Sequence, residues 1–193
     1  SIWLTYNGEI YNYRELRTEL RALGHTFYTT SDTEVLLHAY SQWGIECLDK
    51  LNGIFAFAIW DKSKSRLWLV RDPFGVKPLF FSDLNGKIIF SSEIPALFHF
   101  PGISQENDPC GMDFFFTFGY VPAPMTAYKN IKQLLPGEFL LIENGKKLFN
   151  KYWELPLSIS KLNDPENDLL EEFKRLLNQA VERQIDRKAS CRE

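Results

Sequence analysis

The chain has 193 residues, of which 45% are hydrophobic and 15% aromatic, enough to bury the core of one globular domain. Its net charge of −3 excludes a basic nucleic-acid-binding surface, and no apolar run reaches membrane-spanning length. The three cysteines, Cys47, Cys110 and Cys191, are scattered without metal-ligand spacing and are odd in number, which favours a cytoplasmic protein over a disulfide-bonded one.

The first segment whose groups could take part in binding or catalysis is Asn7-Gly8-Glu9, which follows an apolar segment. Asn-Gly pairs favour turns, and Asn12 stands at capping-box spacing from Glu15, so the sequence predicts a sharp connection from a strand to a helix. Such a connection brings together an amide side chain, a glycine N–H and a carboxylate, the groups that hold an oxyanion and a substrate amine. If these residues are considered alone, the alternative interpretation is a simple turn that has no function.

Two helices are predicted next. The first covers residues 13–23, and residues 25–28 follow as a short strand. The second begins with a capping box formed by Ser31 and Glu34. Asp32 lies in its first turn, where the helix dipole favours an acidic residue whatever its function.

Apolar runs separated by turn residues then predict a β-meander and a large antiparallel sheet. The predicted strands cover residues 54–60, 67–70, 79–82, 87–90, 139–142 and 148–153. The first of these is almost wholly apolar, which predicts a central strand covered on both faces. A loop at residues 71–78 joins two hairpins, and in it Arg71 and Lys77 are expected as structural ion partners.

The remaining segments carry helices and irregular connections. Residues 94–97 are predicted as a short helix, and residues 108–118, with four phenylalanines, as a buried helix. Two prolines make residues 120–124 irregular. The composition shifts after residue 155, where a polar linker precedes an amphipathic helix.

Several segments resemble, in the same order, the signature motifs of the glutamine-hydrolysing asparagine synthetases. These segments are residues 7–13, 31–36, 51–61, 71–79 and 90–94. That family carries a class II, N-terminal-nucleophile glutaminase domain ahead of an ATP-dependent synthetase domain. The resemblance implies an α+β fold, a four-layer α/β/β/α sandwich truncated at its N-terminus.

The resemblance also divides the chain. It implies an incomplete glutaminase domain at residues 1–155, a linker at 156–168 and the first helix of the synthetase domain at 169–184. Residues 185–193 resemble nothing in that family, and we expect them to form an aberrant, disordered tail.

Roles for four residues follow from the same resemblance. Asn7, through its side-chain amide, and Gly8, through its backbone N–H, would stabilise the tetrahedral oxyanion, while Asn7, Glu9 and Asp32 would hold the glutamine. Ammonia would then amidate an ATP-activated aspartate in the synthetase domain of the same chain, and a homodimer is compatible with the family. No cofactor or metal site is expected within these residues, since ATP and magnesium belong to the synthetase domain.

The family's nucleophile is an N-terminal cysteine, and its motif does not occur in the 193 residues. Ser1 is expected at the far end of a strand, roughly 20 Å from Asn7, and Cys47 and Cys110 are expected as packed thiols. We therefore expect the chain by itself to be inactive as a glutaminase. The alternatives are the glutaminase domain of an amidotransferase with another carboxylate acceptor, and a catalytically dead binding module.

Overall fold

A computed structural model describes residues 1–155 and a helix at residues 166–190, with the side chains of that helix described from 168 to 184. The strands are β1 (Ile2–Ile10), β2 (Gly53–Asp61), β3 (Arg66–Arg71), β4 (Phe80–Leu84), β5 (Lys87–Ser91), β6 (Ile131–Gln133), β7 (Glu138–Glu143) and β8 (Lys146–Lys151). The α-helices are α1 (Tyr13–Ala22), α2 (Asp32–Trp43), α3 (Ile94–Leu97), α4 (Pro109–Phe118) and α5 (Glu166–Ser190), and a 3₁₀ helix covers Gly44–Lys50.

The strands form two antiparallel sheets. The larger has the order β1-β2-β3-β7-β8, and the smaller has the order β5-β4-β6. Helices α1 and α2 pack on one face of the larger sheet, and the smaller sheet covers its other face. Helix α3 contacts β4 and β5 of the smaller sheet. The predicted α+β sandwich is therefore confirmed.

Strand β2 is the centre of both cores, because the side chains of a strand alternate between its faces. Phe55 and Phe57 pack toward α1 and α2, whereas Ala56 and Ala58 pack toward the smaller sheet. Aromatic side chains fill the helix side, and small alanines form the surface on which the second sheet closes. The prediction of a central strand covered on both faces is confirmed.

The Asn-Gly pair does not end the first strand, contrary to our prediction. Strand β1 continues through Asn7, Gly8 and Glu9, which lie opposite Ala56, Phe55 and Ile54 of β2. Pairing with a long central strand outweighs the local turn preference. Helix α1 begins at Tyr13 as predicted.

The predicted capping box at the start of α1 is also wrong. Asn12 makes no side-chain cap hydrogen bond. Its Nδ2 donates to the carbonyl of Lys50 at 2.8 Å, and its Oδ1 accepts from the N–H of Asn52 at 3.0 Å. Asn12 therefore fixes the segment that leads into β2.

The second capping box is half formed. Ser31 accepts from the N–H of Glu34 at 3.3 Å, but Glu34 turns to the preceding loop and accepts from the N–H groups of Tyr28 and Thr29, each at 2.8 Å. These bonds hold the loop against the helix, and no strand forms at residues 25–28, where we had predicted one.

Arg71 and Lys77 are not the ion partners that we predicted, since no ion pair found among the described side chains includes either residue. The Arg71 guanidinium donates to the backbone carbonyls of Gly75, Lys77 and Leu134 at 2.6–2.8 Å. Asp72 accepts three backbone N–H groups from the same loop. Arg71 and Asp72 thus provide hydrogen-bond partners for the backbone carbonyl and N–H groups of the loop, which does not pair with a strand.

Helix α4 is exposed rather than buried. Phe115, Phe116 and Phe118 are 47%, 78% and 59% exposed. The helix rests on the chain through Gly111, where an added Cβ would lie 2.2 Å from the carbonyl oxygen of Thr126. Phe115, Phe116 and Phe118, which we had assigned to a core, face outward, whereas Phe114 is half-buried.

Helix α5 begins at Glu166, inside the predicted linker, and continues to Ser190, beyond the predicted end at residue 184. The expectation of disorder is therefore wrong as far as Ser190, since residues 185–190 contain neither glycine nor proline to stop a helix. Residues 156–165 and 191–193 lie outside the described residues. The assignment of this helix to a synthetase domain remains a prediction.

Candidate active site

Strand β1 presents two different faces. Ile2, Leu4, Tyr6 and Ile10 contact the core beneath α1 and α2. Because side chains alternate along a strand, Asn7 and Glu9 lie on the opposite face, toward the smaller sheet. The two residues expected to hold glutamine from this strand therefore share one face.

Asn7 lines a cavity of about 300 Å³ between the two sheets. The walls come from β1, β2, β5 and the segments beside β4 and β5: Thr5, Tyr6, Asn7, Ala56, Phe57, Ala58, Pro78, Leu79, Phe90, Ser91 and Ser92. Thr5, Asn7, Ser91 and Ser92 are the polar members of this mostly apolar lining, a composition that is typical of small-molecule sites.

The backbone of β1 places the Gly8 N–H at the edge of the larger sheet. Tyr11 donates its N–H to the carbonyl of Asn52, toward β2, whereas Ile10 donates its N–H away from β2, to Asp32. Successive N–H groups of a strand point to opposite sides, so the Gly8 N–H points to the same edge as that of Ile10. Among the described strands, none pairs with this edge.

Asp32 lies at the same edge. It is 8% exposed, and its Oδ2 accepts the Tyr6 hydroxyl at 2.7 Å and the Ile10 N–H at 3.1 Å. The first turn of α2 thus delivers a fixed carboxylate to the end of β1. The structure brings Asp32 and the Gly8 N–H to one strand edge, with Asn7 and Glu9 on the adjoining sheet face.

Gly8 is required by the close approach of β1 to β2. A Cβ added at Gly8 would lie 2.3 Å from the carbonyl oxygen of Ile54 and 2.6 Å from the Cα of Phe55. On β2, an added Cβ at Gly53 would lie 2.0 Å from the carbonyl oxygen of Glu9. Two glycines therefore set the position of the strand that carries the site.

Tyr6 is a site residue that the sequence motifs do not indicate. Its hydroxyl orients Asp32, and its ring fills the core under α2. The alternation of β1 was the available signal, because it separates Tyr6 from Asn7. That signal was hidden by the assumption that the strand ended at Asn7.

The loop before Asp32 is held by a strongly acidic carboxyl. The Thr29 hydroxyl and the Tyr28 N–H donate to Glu34, which lowers the pKa of Glu34 to about 2. The ionised side chain therefore ties residues 28 and 29 to α2 at neutral pH.

None of the described sulfur or N-terminal groups is built as a nucleophile for this site. Burial, with a smaller effect of Asp49, raises the pKa of the Cys47 thiol to about 12, so it stays protonated. Cys110 is exposed on α4, contrary to our prediction of a packed thiol. Ser1 precedes β1, at the end opposite to Gly8.

Within the described side chains, no three His, Cys, Asp or Glu residues lie close enough together to hold a metal ion. No helix among the described residues combines the length and apolar character needed to cross a membrane.

Comparison with known proteins identifies the domain. The sequence profile of the glutamine amidotransferase domain matches residues 1–153. The chain is 40% identical over 183 residues to asparagine synthetase [glutamine-hydrolyzing] 3 of Bacillus subtilis, covering 94% of this chain and 30% of that protein. It is 35% identical over 184 residues to a putative asparagine synthetase 2 of Methanocaldococcus jannaschii, covering 93% and 35%. The chain thus spans about a third of these relatives.

Solved structures support the fold. The chain superposes on glutamine phosphoribosylpyrophosphate amidotransferase of B. subtilis, solved with ADP and GMP, with a TM-score of 0.55 and 23% identity. The match covers 80% of this chain and 30% of that one. The profile match over residues 1–153, with the sandwich fold, shows that the chain belongs to the family of glutamine amidotransferase domains.

Proposed function

We propose that the edge of β1 is the oxyanion- and glutamine-binding half of an ammonia-generating site. The observation that carries this proposal is that the Gly8 N–H and the fixed Asp32 carboxylate share one strand edge, with the Asn7 amide beside them. Donors for an anionic oxygen and acceptors for a cationic amine are the two kinds of group that a glutamine needs at its opposite ends.

Each residue then has a defined task. A thiolate, which the described residues do not supply, attacks the side-chain amide carbon of glutamine, and the carbonyl oxygen becomes an oxyanion. The Asn7 side-chain N–H and the Gly8 backbone N–H donate to that oxyanion. Glu9 and Asp32 hold the α-ammonium group of the substrate. The intermediate then collapses: the carbon–nitrogen bond breaks, and the nitrogen takes up the proton that the thiol gave up and leaves as ammonia. Water hydrolyses the remaining thioester to glutamate and regenerates the thiol.

For the whole protein we propose glutamine-dependent asparagine synthesis in the cytoplasm. The named relatives, of which the chain spans about a third, are asparagine synthetases. The ammonia would amidate an aspartate activated by ATP and magnesium in a synthetase domain of the same chain, to which α5 would belong. An amidotransferase with another carboxylate acceptor is the second candidate, because the acceptor pocket is not formed by the described residues.

We also propose that the 193-residue chain alone does not hydrolyse glutamine. Cys47 is buried and protonated, and Ser1 is separated from Gly8 by the length of β1. The test is release of glutamate from glutamine by the purified chain. No release above the buffer rate is expected. Release that disappears in Ser1→Ala, Cys47→Ala or Cys110→Ala would overturn this proposal.

A further inference from the structure

A second cavity, of about 260 Å³, lies between the sheets at the opposite edge from Asn7. There β8 is the last strand of the larger sheet and β6 the last strand of the smaller one. Side chains from β4, β5, β6, β7 and β8 line it. We call it the β6–β8 cavity.

The floor of the β6–β8 cavity is apolar. Phe81 and Leu140, which line it, belong to the core between the sheets and are 6% and 0% exposed. Phe149, on the edge strand β8, is 47% exposed, and its ring centre lies 5.9 Å from that of Phe81. A ligand ring placed against these two phenylalanines would remove apolar surface from water and gain aromatic contacts.

The rim of the cavity is charged, with an excess of one positive charge. Lys132, Lys147 and Asp83 line it, and Lys147 is paired with Asp83. Asp83 also accepts the N–H of Gly86 at 3.0 Å, so its charge is already matched. Among the ion pairs of the described residues, none includes Lys132.

We propose that the β6–β8 cavity binds a small monocarboxylate with an aromatic body. Lys132 pairs with the carboxylate, and the rings of Phe81 and Phe149 contact the body of the ligand. One net positive charge favours an anion over a neutral molecule or a cation. The volume of about 260 Å³ lies just below the range of roughly 300–1,000 Å³ that is typical of small-molecule sites, so a small ligand suits it. Benzoate is a small aromatic monocarboxylate.

The test is a titration of the 193-residue chain with benzoate, followed by amide chemical shifts in two-dimensional NMR. Saturable shifts are expected at Lys132, at Phe149 and along β4. Benzamide, which has the same shape without the charge, should bind roughly threefold to fivefold more weakly, as expected for a partly exposed ion pair. Binding of benzamide as tight as that of benzoate would overturn the assignment of Lys132.

Two variants and one control sharpen the test. Lys132→Met should weaken benzoate binding by roughly threefold to fivefold and leave benzamide unchanged. Phe149→Ala, at a half-exposed position on the edge strand β8, should weaken both ligands. Lys146→Met is the matched control, since Lys146 is the neighbour of Lys147 on β8 and its side chain lies on the opposite face. Shifts confined to other surfaces, or equal effects of Lys132→Met and Lys146→Met, would overturn the proposal.

Discussion

The Tyr6 hydroxyl donates a 2.7 Å hydrogen bond to Oδ2 of Asp32 and ties the edge strand β1 to the first turn of α2. We expect Tyr6→Phe to lower the free energy of unfolding by about 2 kcal/mol, because a hydrogen bond to a charged group is lost. Urea unfolding followed by tryptophan fluorescence measures the change. An unchanged midpoint would show that Tyr6 does not hold Asp32 in place.

The approach of β1 to β2 leads to a second prediction, at Gly8. We expect Gly8→Ala to cost about 3 kcal/mol or more of unfolding free energy, because the new Cβ would meet the backbone of Ile54 and Phe55. Gly86→Ala is the control: that position has φ +85 and open space around it, so only the conformational cost of about 1 kcal/mol is expected. Equal costs for the two variants would contradict the close approach.

The low pKa of Glu34 predicts a pH-dependent contribution to stability. Folding lowers this pKa from 4.5 to about 2, so the stabilisation is fully present above pH 4.5 and is lost as the pH falls toward 2. Glu34→Gln should therefore reduce the melting temperature at pH 7, and the difference from the wild type should shrink between pH 4.5 and pH 2. Thermal unfolding at a series of pH values measures it. A difference that stays constant over that range would contradict the prediction.

The outward-facing phenylalanines of α4 give a fourth prediction. Phe116 is 78% exposed, so Phe116→Ser should change the unfolding free energy by no more than about 0.5 kcal/mol. Phe57, which is 1% exposed in the helix-side core, is the comparison, and Phe57→Ala should cost about 3–5 kcal/mol. Urea unfolding compares the two. A large loss of stability in Phe116→Ser would show that α4 is buried after all.

Much of the fold could be predicted from the sequence. Runs of apolar residues bounded by turn residues indicate strands such as β2 and β3 without any knowledge of their partners. The errors occurred where long-range partners decide the structure. Asn7-Gly8 has the local signature of a turn, but pairing with β2 keeps it extended. Asn12 has the sequence context of a helix cap, but its side-chain amide donates a hydrogen bond to the carbonyl of Lys50 instead.

For the site, the residues could be predicted from the sequence, but their arrangement in space could not. The resemblance selected Asn7, Gly8, Glu9 and Asp32, and the structure places them around one strand edge. The contribution of Tyr6 depends on the position of α2 over β1, 26 residues further along the chain, which no local pattern encodes. The aromatic content of α4 indicates burial, but Phe115, Phe116 and Phe118 are exposed, and no pattern within the helix itself encodes that difference.

Recognition of glutamine by the edge of β1 can be measured in an NMR titration of the 193-residue chain with glutamine. Because no hydrolysis is expected, the titration measures binding alone. We expect saturable shifts at Gly8, Ile10 and Asp32 that are lost in Asp32→Asn and retained in Asp49→Asn, a control on the 3₁₀ helix. The absence of shifts at β1, or shifts that Asp32→Asn leaves unchanged, would show that this edge does not recognise glutamine and would favour a binding module for another ligand.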